Sequence, residues 1–323
     1  DVVFSTHRGH GHALAKGVSP EALIAELYGR ETGISAGRGG SMHLFAPEIG
    51  LMGTSGIVGP CILQACGGGY SFKLQGKPNV SLAFFGDGAV NNGAFHEGLN
   101  QASVWNLPCV FVVENNQFAT EVPFEYSSGN PDVGDRGPAY GMPSFIVDGN
   151  DVQEIYEVAG EAIARARRGE GPTLIECKTY RTRAHAEGMG DFTYRTKEDV
   201  EEWKAKCPID RFRAFVKESH PELESELDLI QKEITDEVEQ AHKNAEQASY
   251  PSPEDANTFI YGKQVQSTID NGEPLNSGLA NDNETAGLRE ITYMQATHEA
   301  LSEEMAKNEH IFVMGEGIGS RGG

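Results

Sequence analysis

The chain has 323 residues, and its 48 acidic side chains outnumber 26 basic ones to give a formal net charge of -22. At about 150 residues per domain, this length predicts two domains. The acidic surplus disfavours nucleic acid or an anionic membrane as a partner, because either is bound through a basic face. No apolar run approaches the roughly 18 residues that cross a bilayer, so we expect no membrane-spanning helix.

The 39 glycines and five cysteines are the next compositional features. An odd number of cysteines without a C-x-x-C pair argues against a disulfide scaffold and a structural zinc knuckle. We therefore expect a reducing compartment, which is the cytoplasm, or the mitochondrial matrix if a transit peptide precedes Asp1. Both ends look cut, because the chain begins inside an apolar segment without methionine and ends in a glycine-rich stretch.

Residues 1–215 have the pattern of one α/β unit. Ser19-Pro20-Glu21 is typical of a helix start, with an N-cap serine and proline at the first helical position, and the helix is predicted to reach about Arg30. Loops are expected to dominate from Gly33 to Gly69. Short apolar runs predict buried parallel strands, and the remaining elements alternate with them as in βαβ units. These elements are a strand over 80–85, a helix over 93–105, a strand over 109–113, a capped helix over 151–168 and a strand over 173–179.

The composition changes from Lys217 onward. Residues 217–290 contain seventeen acids and five bases, which is over half of the acidic excess. Apolar spacing predicts a helix within 221–249, after which 250–288 loses periodicity and is predicted to be a flexible linker. A helix over 291–307 and a strand over 311–314 then predict the start of a second α/β domain.

Two polar motifs follow neighbouring predicted strands. Gly86-Asp87-Gly88 ends the first strand, and Asn115-Asn116 ends the second. The carboxyl ends of parallel strands meet at one sheet edge, where ligands bind, so Asp87 and Asn116 should lie close together. Carboxylate and amide oxygens suit a magnesium or calcium ion, and a helix beginning near Asn92 would present its positive end to a phosphate. Either motif alone is also common turn chemistry, and their matched placement favours the binding site.

These motifs and their surroundings resemble a known family. GDG followed after 25 to 30 residues by NN is similar to the thiamine-diphosphate-binding motif. The segments HRGHGHALAKG, GRGGSMH, GTSGIVG, FFGDGAVNNGAFHEGLN, LPCVFVVENN and TYRTRAH resemble the α subunit of the decarboxylating component of 2-oxo acid dehydrogenase complexes, which act on pyruvate, branched-chain oxo acids or acetoin. The likeness covers residues 1 to about 250, and residues 288–323 are similar to the start of the β subunit.

The resemblance implies a fold class and a domain organisation. The fold is expected to be α/β, with a parallel sheet flanked by helices on both faces. Residues 1–250 would form the cofactor-binding domain without the family's N-terminal helices. Residues 251–287 would be an acidic and polar linker. Residues 288–323 would begin a second, truncated α/β domain that binds the cofactor's pyrimidine ring.

The resemblance also implies cofactors and the residues that bind them. Thiamine diphosphate would be bound through Mg²⁺, with Asp87, the Asn116 side chain and the Phe118 carbonyl as metal ligands. His7, which stands where the family often has tyrosine, and Arg8 would contact the diphosphate. The remaining implied contacts are made by the main chain, from Gly88 and Ala89 to the diphosphate and from Gly56 and Val58 to the aminopyrimidine.

Three residues match the family's catalytic positions. Glu316 matches the glutamate that protonates the aminopyrimidine, and His185 matches the histidine that positions substrate and assists acyl transfer. His10 is a second candidate at the mouth of the site. An imidazole suits these roles because it exchanges protons near neutral pH.

The implied partners are a 2-oxo acid substrate, a lipoyl-bearing acyltransferase and a β-subunit-like region in the same or another chain. A homodimer or an α2β2-like assembly is therefore expected, with no role for nucleic acid or a membrane.

Three alternatives remain open at this point. The chain could belong to a component that cleaves acetoin with the same cofactor, or it could be a non-catalytic chain that only assembles with others. It could also be a nicotinamide- or flavin-binding domain, although no G-x-G-x-x-G joins a strand to a helix.

Overall fold

A computed structural model describes residues 1–190, 194–258 and 289–315, and it divides the chain into two units, residues 1–257 and 258–323. The strands are β1 (Val2–Phe4), β2 (Leu51–Gly53), β3 (Ser81–Gly86), β4 (Cys109–Asn115), β5 (Phe118–Ala119), β6 (Val122–Pro123), β7 (Ser144–Asp148) and β8 (Thr173–Lys178). The α-helices are α1 (His10–Lys16), α2 (Pro20–Leu27), α3 (Pro60–Leu74), α4 (Gly93–Val104), α5 (Phe124–Ser127), α6 (Val152–Arg167), α7 (Lys197–Lys204), α8 (Pro208–Ser219), α9 (Glu224–Gln247) and α10 (Tyr293–Lys307). Short 3-10 helices lie over 47–49, 87–89, 134–140, 221–223 and 253–257.

The first unit is built on a six-stranded parallel sheet with the strand order β2-β1-β3-β4-β8-β7. Side chains that alternate along β3 enter cores on opposite faces. Phe85 packs with α3 and α4. Leu82 and Phe84 pack against two clusters on the other face, one that includes α6 and one that includes α1 and α2. Burial of both faces accounts for the apolar run at the start of β4, Cys109 to Val113, and for the mostly apolar strand β8. The predicted α/β fold with helices on both faces is confirmed.

Most predicted elements of the first unit are present, with small shifts at their ends. The Ser19 hydroxyl accepts a hydrogen bond from Ala22 N at the start of α2, as its N-cap role requires. Asp151 likewise caps α6 by accepting from two backbone N–H groups, but Glu154 accepts from Asp148 N instead of closing a capping box. Helix α2 ends three residues earlier than predicted. The elements that were not predicted are β1, α1, β2, β5, β6, α5, β7, α7 and α8.

Helix α3 corrects the prediction that loops dominate from Gly33 to Gly69. It begins at Pro60 and continues through the triplet Gly67-Gly68-Gly69. A Cβ on Gly68 would lie 2.8 Å from Ser81 Oγ, and one on Gly69 would lie 2.6 Å from Cys109 Sγ. These two glycines therefore let the helix backbone approach the sheet closely, which is a packing role that composition alone does not reveal.

The C-terminal predictions have mixed outcomes. Helices α9 and α10 are present, but the predicted strand over 311–314 is wrong, because these residues form no strand in the described part of the second unit. A strand is stable only when a neighbour satisfies its backbone groups. Of the predicted linker, residues 251–258 are described and include a 3-10 helix over 253–257, while 259–288 lie outside the described residues. The predicted domain boundaries at 250 and 287 stay predictions.

Across residues 1–190, 194–258 and 289–315, no helix is both long and apolar enough to traverse a bilayer.

Candidate active site

The two polar motifs meet at the carboxyl edge of the sheet. Strands β3 and β4 run side by side with Gly86 opposite Glu114, so the residues that follow them are neighbours. Asn116 N donates a hydrogen bond to Asp87 Oδ1 over 3.3 Å, although 29 residues separate the two along the chain. The Asn116 side chain turns the following loop by accepting from Phe118 N. The predicted proximity of Asp87 and Asn116 is thus confirmed.

Asp87 is a buried carboxylate with one oxygen left over. Its side chain is 1% exposed, and its Oδ2 atom has no hydrogen-bond partner among the described residues. Burial raises the pKa of Asp87 to about 6, while backbone N–H groups and the Arg181 charge act in the opposite direction. Burying a carboxylate oxygen without a partner costs folding free energy unless a ligand binds that oxygen. A hard cation is the ligand that suits a carboxylate oxygen.

Asp87 lines a cavity of about 150 Å³. This cavity brings together most of the residues that sequence reasoning selected, which are His7, Arg8, Val58, Asp87, Gly88, Ala89, Asn116, Phe118 and His185. The Phe118 carbonyl is 3.5 Å from an Arg181 guanidinium nitrogen. Asn92 caps helix α4 and donates to Val58 O, which joins the loop before α3 to the loop after β3. The cavity therefore brings the oxygen-bearing residues Asp87, Asn116 and Phe118 together with the loop before α3.

Arg8 also lines the cavity, and Arg181 lies near the histidines that line it. Arg8 and Arg181 both lie close enough to His7 and His185 to lower the pKa of each histidine, after burial, which is the larger cause. His7 Nε2 is buried and has no hydrogen-bond partner within the described ranges. Positive charge and an unused ring nitrogen beside a carboxylate suit an anion that is bridged to the carboxylate by a metal ion.

Arg8 and His185 are joined directly. Arg8 Nη1 donates to the His185 carbonyl over 2.9 Å, and Nη2 donates to His185 Nδ1 over 2.7 Å. Because a guanidinium can only donate, Nδ1 carries the lone pair, and the neutral ring has its hydrogen on Nε2. An anion in the cavity would compete with His185 for the Arg8 guanidinium.

Three predicted site residues do not line the cavity. Gly56 is exposed on the loop before α3. His10 hydrogen-bonds through Nε2 to the carbonyl and hydroxyl of Ser41, at 3.1 and 2.9 Å. Glu316 lies outside the described residues, so its predicted role stays a prediction.

Sequence reasoning missed two buried residues that support the site. Glu176, which is fully buried on β8, accepts from Asn115 Nδ2 over 2.6 Å and from Gly134 N over 2.8 Å. Arg181 donates to Thr120 O and to the Tyr194 hydroxyl, both over 2.7 Å, and so holds the loop that carries Phe118. The sequence feature that could have indicated a buried carboxylate at Glu176 is its place as the single charged residue in the otherwise apolar run TLIEC.

His12 belongs to a separate polar contact. Its Nδ1 is 2.7 Å from Ser5 Oγ, and its Nε2 is 3.3 Å from Glu114 Oε1. Ser5 is 1% exposed, so this serine–histidine–glutamate arrangement offers no accessible nucleophile. Within the described part of the chain, no three His, Cys, Asp or Glu side chains are grouped so as to hold a metal ion.

The chain is similar to one protein family and to several named proteins. The family model described as "Dehydrogenase E1 component" matches residues 1–254. The chain is 45% identical over 263 residues to the α subunit of acetoin:2,6-dichlorophenolindophenol oxidoreductase from Bacillus subtilis, covering 81% of this chain and 78% of the relative.

Two pyruvate dehydrogenase relatives are similar at a comparable level. The chain is 44% identical to the chloroplastic E1 component subunit alpha-3 of rice, covering 78% of this chain and 61% of that protein. It is 40% identical to the E1 component subunit alpha of Rhizobium meliloti, covering 73% of this chain and 68% of the relative.

Proposed function

Since the chain belongs to the dehydrogenase E1 component family, we propose that it is the α component of a thiamine-diphosphate-dependent enzyme that decarboxylates a 2-oxo acid. Enzymes of this family depend on thiamine diphosphate. The observation that carries the proposal is Asp87, a buried carboxylate whose Oδ2 has no partner among the described residues and which lines a cavity together with Arg8, His7 and His185.

The residues present fit a metal-bound diphosphate. Asp87, Asn116 Oδ1 and the Phe118 carbonyl would hold Mg²⁺, which prefers hard oxygen ligands. Arg8 and His7 would face the diphosphate, together with the backbone N–H groups of Gly88 and Ala89. Gly56 and Val58 would contact the aminopyrimidine through the main chain. When bound, thiamine diphosphate supplies the carbon nucleophile and the electron sink that decarboxylation needs.

Two histidines and one glutamate would handle protons around this cofactor. His185 is neutral at pH 7, because burial and then the Arg8 and Arg181 charges lower its pKa. With Nδ1 accepting from Arg8, its Nε2–H is free to donate to the substrate or to the incoming acyl acceptor. His10 would act at the mouth of the site. Glu316 would protonate the aminopyrimidine.

The proposed assembly completes the site. The residues proposed to bind the diphosphate lie within residues 1–257, whereas Glu316 lies in the β-like segment. A β-like region of the same or another chain would therefore have to supply the glutamate. The acyl group would pass to the lipoyl group of a partner acyltransferase. An α2β2-like assembly in a reducing compartment, the cytoplasm, is the expected setting, and all five cysteines are free thiols.

A second substrate is favoured by one comparison. The Bacillus subtilis relative, at 45% identity, carries acetoin and 2,6-dichlorophenolindophenol in its name. We therefore propose acetoin cleavage as the alternative to decarboxylation. A panel of pyruvate, branched-chain 2-oxo acids and acetoin, assayed with the dye as electron acceptor and with the β subunit added, separates the two. Turnover of acetoin without CO₂ release would select the alternative, and no turnover of any substrate would contradict both.

Calorimetric titration with thiamine diphosphate tests the cofactor site itself. Binding is expected to require Mg²⁺ and to weaken at least about tenfold in Asp87→Asn, because an amide cannot replace the anionic metal ligand. The variant keeps the shape of the side chain and an oxygen that can accept from Asn116 N. Asp210→Asn, an exposed carboxylate on α8, is the matched control and should bind like the wild type. Binding that ignored both Mg²⁺ and Asp87→Asn would overturn the proposal.

A further inference from the structure

Glu26 is a fully buried carboxylate that lies outside the cavity. It sits near the end of α2 and accepts four backbone hydrogen bonds from the glycine-rich loop that follows. Oε2 accepts from Ser35 N and Gly37 N, each over 2.9 Å. Oε1 accepts from Gly39 N over 2.7 Å and from Gly40 N over 3.1 Å. Hydrogen bonds to a charged acceptor are about twice as strong as neutral ones, so this carboxylate is the main anchor of the loop.

The anchor also holds one strained residue, Ala36, because a left-handed backbone conformation is unfavourable for alanine but not for glycine. Ala36 has φ of 51°, and Gly37 and Gly40 have φ of 74° and 57°, all in the left-handed region. The loop also wraps the carboxylate closely. A Cβ on Gly33 would lie 2.4 Å from Glu26 Oε2, so only glycine lets the chain pass there. The conformation of residues 33–40 therefore depends on Glu26 more than on local preference.

Thr54 fixes the far end of the same loop. Its hydroxyl donates to Met42 O over 2.7 Å and accepts from Leu44 N over 2.9 Å. Ser41 lies between the two anchors, and its carbonyl and hydroxyl contact His10 Nε2. A carbonyl can only accept, so Nε2 must carry the ring hydrogen and Nδ1 must carry the lone pair. The position of Ser41 thus selects both the orientation and the tautomer of His10.

We propose that Glu26 is a positioning residue that acts on His10 through the 33–41 loop and Ser41. The inference rests on the proposed function, in which His10 works at the mouth of the active site. Glu26 holds the loop, and the loop holds the carbonyl and hydroxyl of Ser41. Both groups accept from Nε2 of His10, and this arrangement leaves Nδ1 available as a base. Neither Glu26 nor Ser41 lines the cofactor cavity, so the inference expects an effect on kcat and not on the affinity for thiamine diphosphate.

Hydrogen exchange measured by mass spectrometry tests the first link without any cofactor. In Glu26→Gln, the amide group must turn a donor toward one pair of backbone N–H groups. Exchange across residues 35–40 should then accelerate at least about tenfold, as expected when local opening becomes easier. Glu31→Gln, an exposed glutamate five residues later, is the control and should exchange like the wild type. Unchanged exchange in Glu26→Gln would overturn the inference.

A double-mutant cycle on the complete α–β assembly tests the second link. Glu26→Gln should lower kcat about tenfold, the scale expected when a catalytic group is misplaced by a fraction of an ångström. In a His10→Ala background, the same substitution should change kcat less than about twofold, because the imidazole that Glu26 is proposed to position is absent. Additive losses would overturn the inference. So would a matching loss of thiamine diphosphate binding in calorimetry, since that would place the effect in the cofactor cavity.

A surface variant keeps the test decisive if Glu26→Gln fails to fold. Ser41 is exposed, and Ser41→Ala removes the hydroxyl partner of His10 without touching the core. It should lower kcat and be non-additive with His10→Ala, and Ser41→Thr should restore the activity. A Ser41→Ala enzyme with wild-type kcat would overturn the inference. A wild-type assembly that bound no cofactor would instead contradict the proposed function, and the exchange experiment would still report on the loop.

Discussion

Three buried carboxylates in the first unit differ in how their oxygens are satisfied. Glu26 accepts four backbone hydrogen bonds, and Glu176 accepts from Asn115 Nδ2 and Gly134 N with Lys178 Nζ 3.3 Å away. Asp87 alone of the three keeps an oxygen without a partner in the described chain. A carboxylate that the protein satisfies organises the fold, whereas one that it leaves open is where an external cation belongs.

The contact between Arg8 and His185 makes a prediction at the residue scale. Burial lowers the pKa of His185 first, and the Arg8 charge is the next cause. Removing a neighbouring positive charge makes the imidazolium easier to form, so Arg8→Gln should raise the pKa of His185 without restoring its ordinary value. NMR titration of ¹⁵N-labelled histidine side chains, with His185 identified from His185→Asn, measures the change. Lys77→Gln, a distant exposed cation, should leave this pKa where it was, and an unchanged pKa in Arg8→Gln would refute the contact.

At the scale of elements, helix α3 shows what glycine does in this chain. Gly67 faces solvent, and a Cβ at this position would have no neighbouring atom within 4 Å, whereas Gly68 and Gly69 face the sheet. Three consecutive glycines in a helix therefore divide into one that costs helix stability and two that permit packing. The same triplet could be mistaken for a loop, because the reason for it lies on strands β3 and β4.

Two alanine substitutions in α3 should change stability in opposite directions. Gly67→Ala should raise the free energy of unfolding by about 0.5–1 kcal/mol, because alanine restricts the unfolded chain and meets no neighbour. Gly69→Ala should lower it by about 1–3 kcal/mol, because the new methyl would overlap the buried Cys109 sulfur. Urea unfolding followed by circular dichroism measures both. Equal effects of the two substitutions would show that the helix does not approach the sheet as described.

Periodicity and capping residues were sufficient to predict β3, β4, α4, α6 and β8, because each element carries its own pattern. The same patterns were sufficient to predict that Asp87 and Asn116 lie close together, because neighbouring parallel strands end at the same edge of the sheet. The contacts of Glu26 and Glu176 could not be predicted in this way, because their partners are backbone N–H groups and side chains whose positions depend on the tertiary fold. Strand 311–314 failed for the related reason that a strand requires a neighbour that its own sequence does not specify.

At the scale of the whole molecule, charge is unevenly distributed. Over half of the net charge of -22 belongs to residues 217–290, and the cavity is flanked by Arg8 and Arg181. An acidic protein can therefore bind a diphosphate, because the local field beside Asp87 is set by nearby arginines and by the metal ion. The proposed diphosphate residues and the proposed glutamate, Glu316, belong to different units of the chain.

This division predicts that catalysis needs assembly. Turnover by the chain alone should be at least about a hundredfold below that of the chain mixed with a β subunit, because we expect the glutamate to reach the cofactor only in the assembly. The expected scale is that of losing a general acid–base group. Dye reduction with the substrate identified by the panel measures both rates. Asp87→Asn mixed with the β subunit should remain inactive, which shows that the added protein brings no complete site of its own. Comparable turnover by the chain alone would contradict the proposed interface.

The order of strands in the sheet also bears on how the chain acquires its structure. Strand β1 lies between β2 and β3, so Val3 pairs with Leu51 and Leu82, both far along the chain. The shortest ladder separation in the sheet, Ser81 to Cys109, spans 28 residues. Loop closure must precede every one of these pairings, which makes such sheets slow to form. During synthesis the apolar side chains of β1 would emerge from the ribosome long before β3. We expect chaperones to bind these side chains until β3 is available.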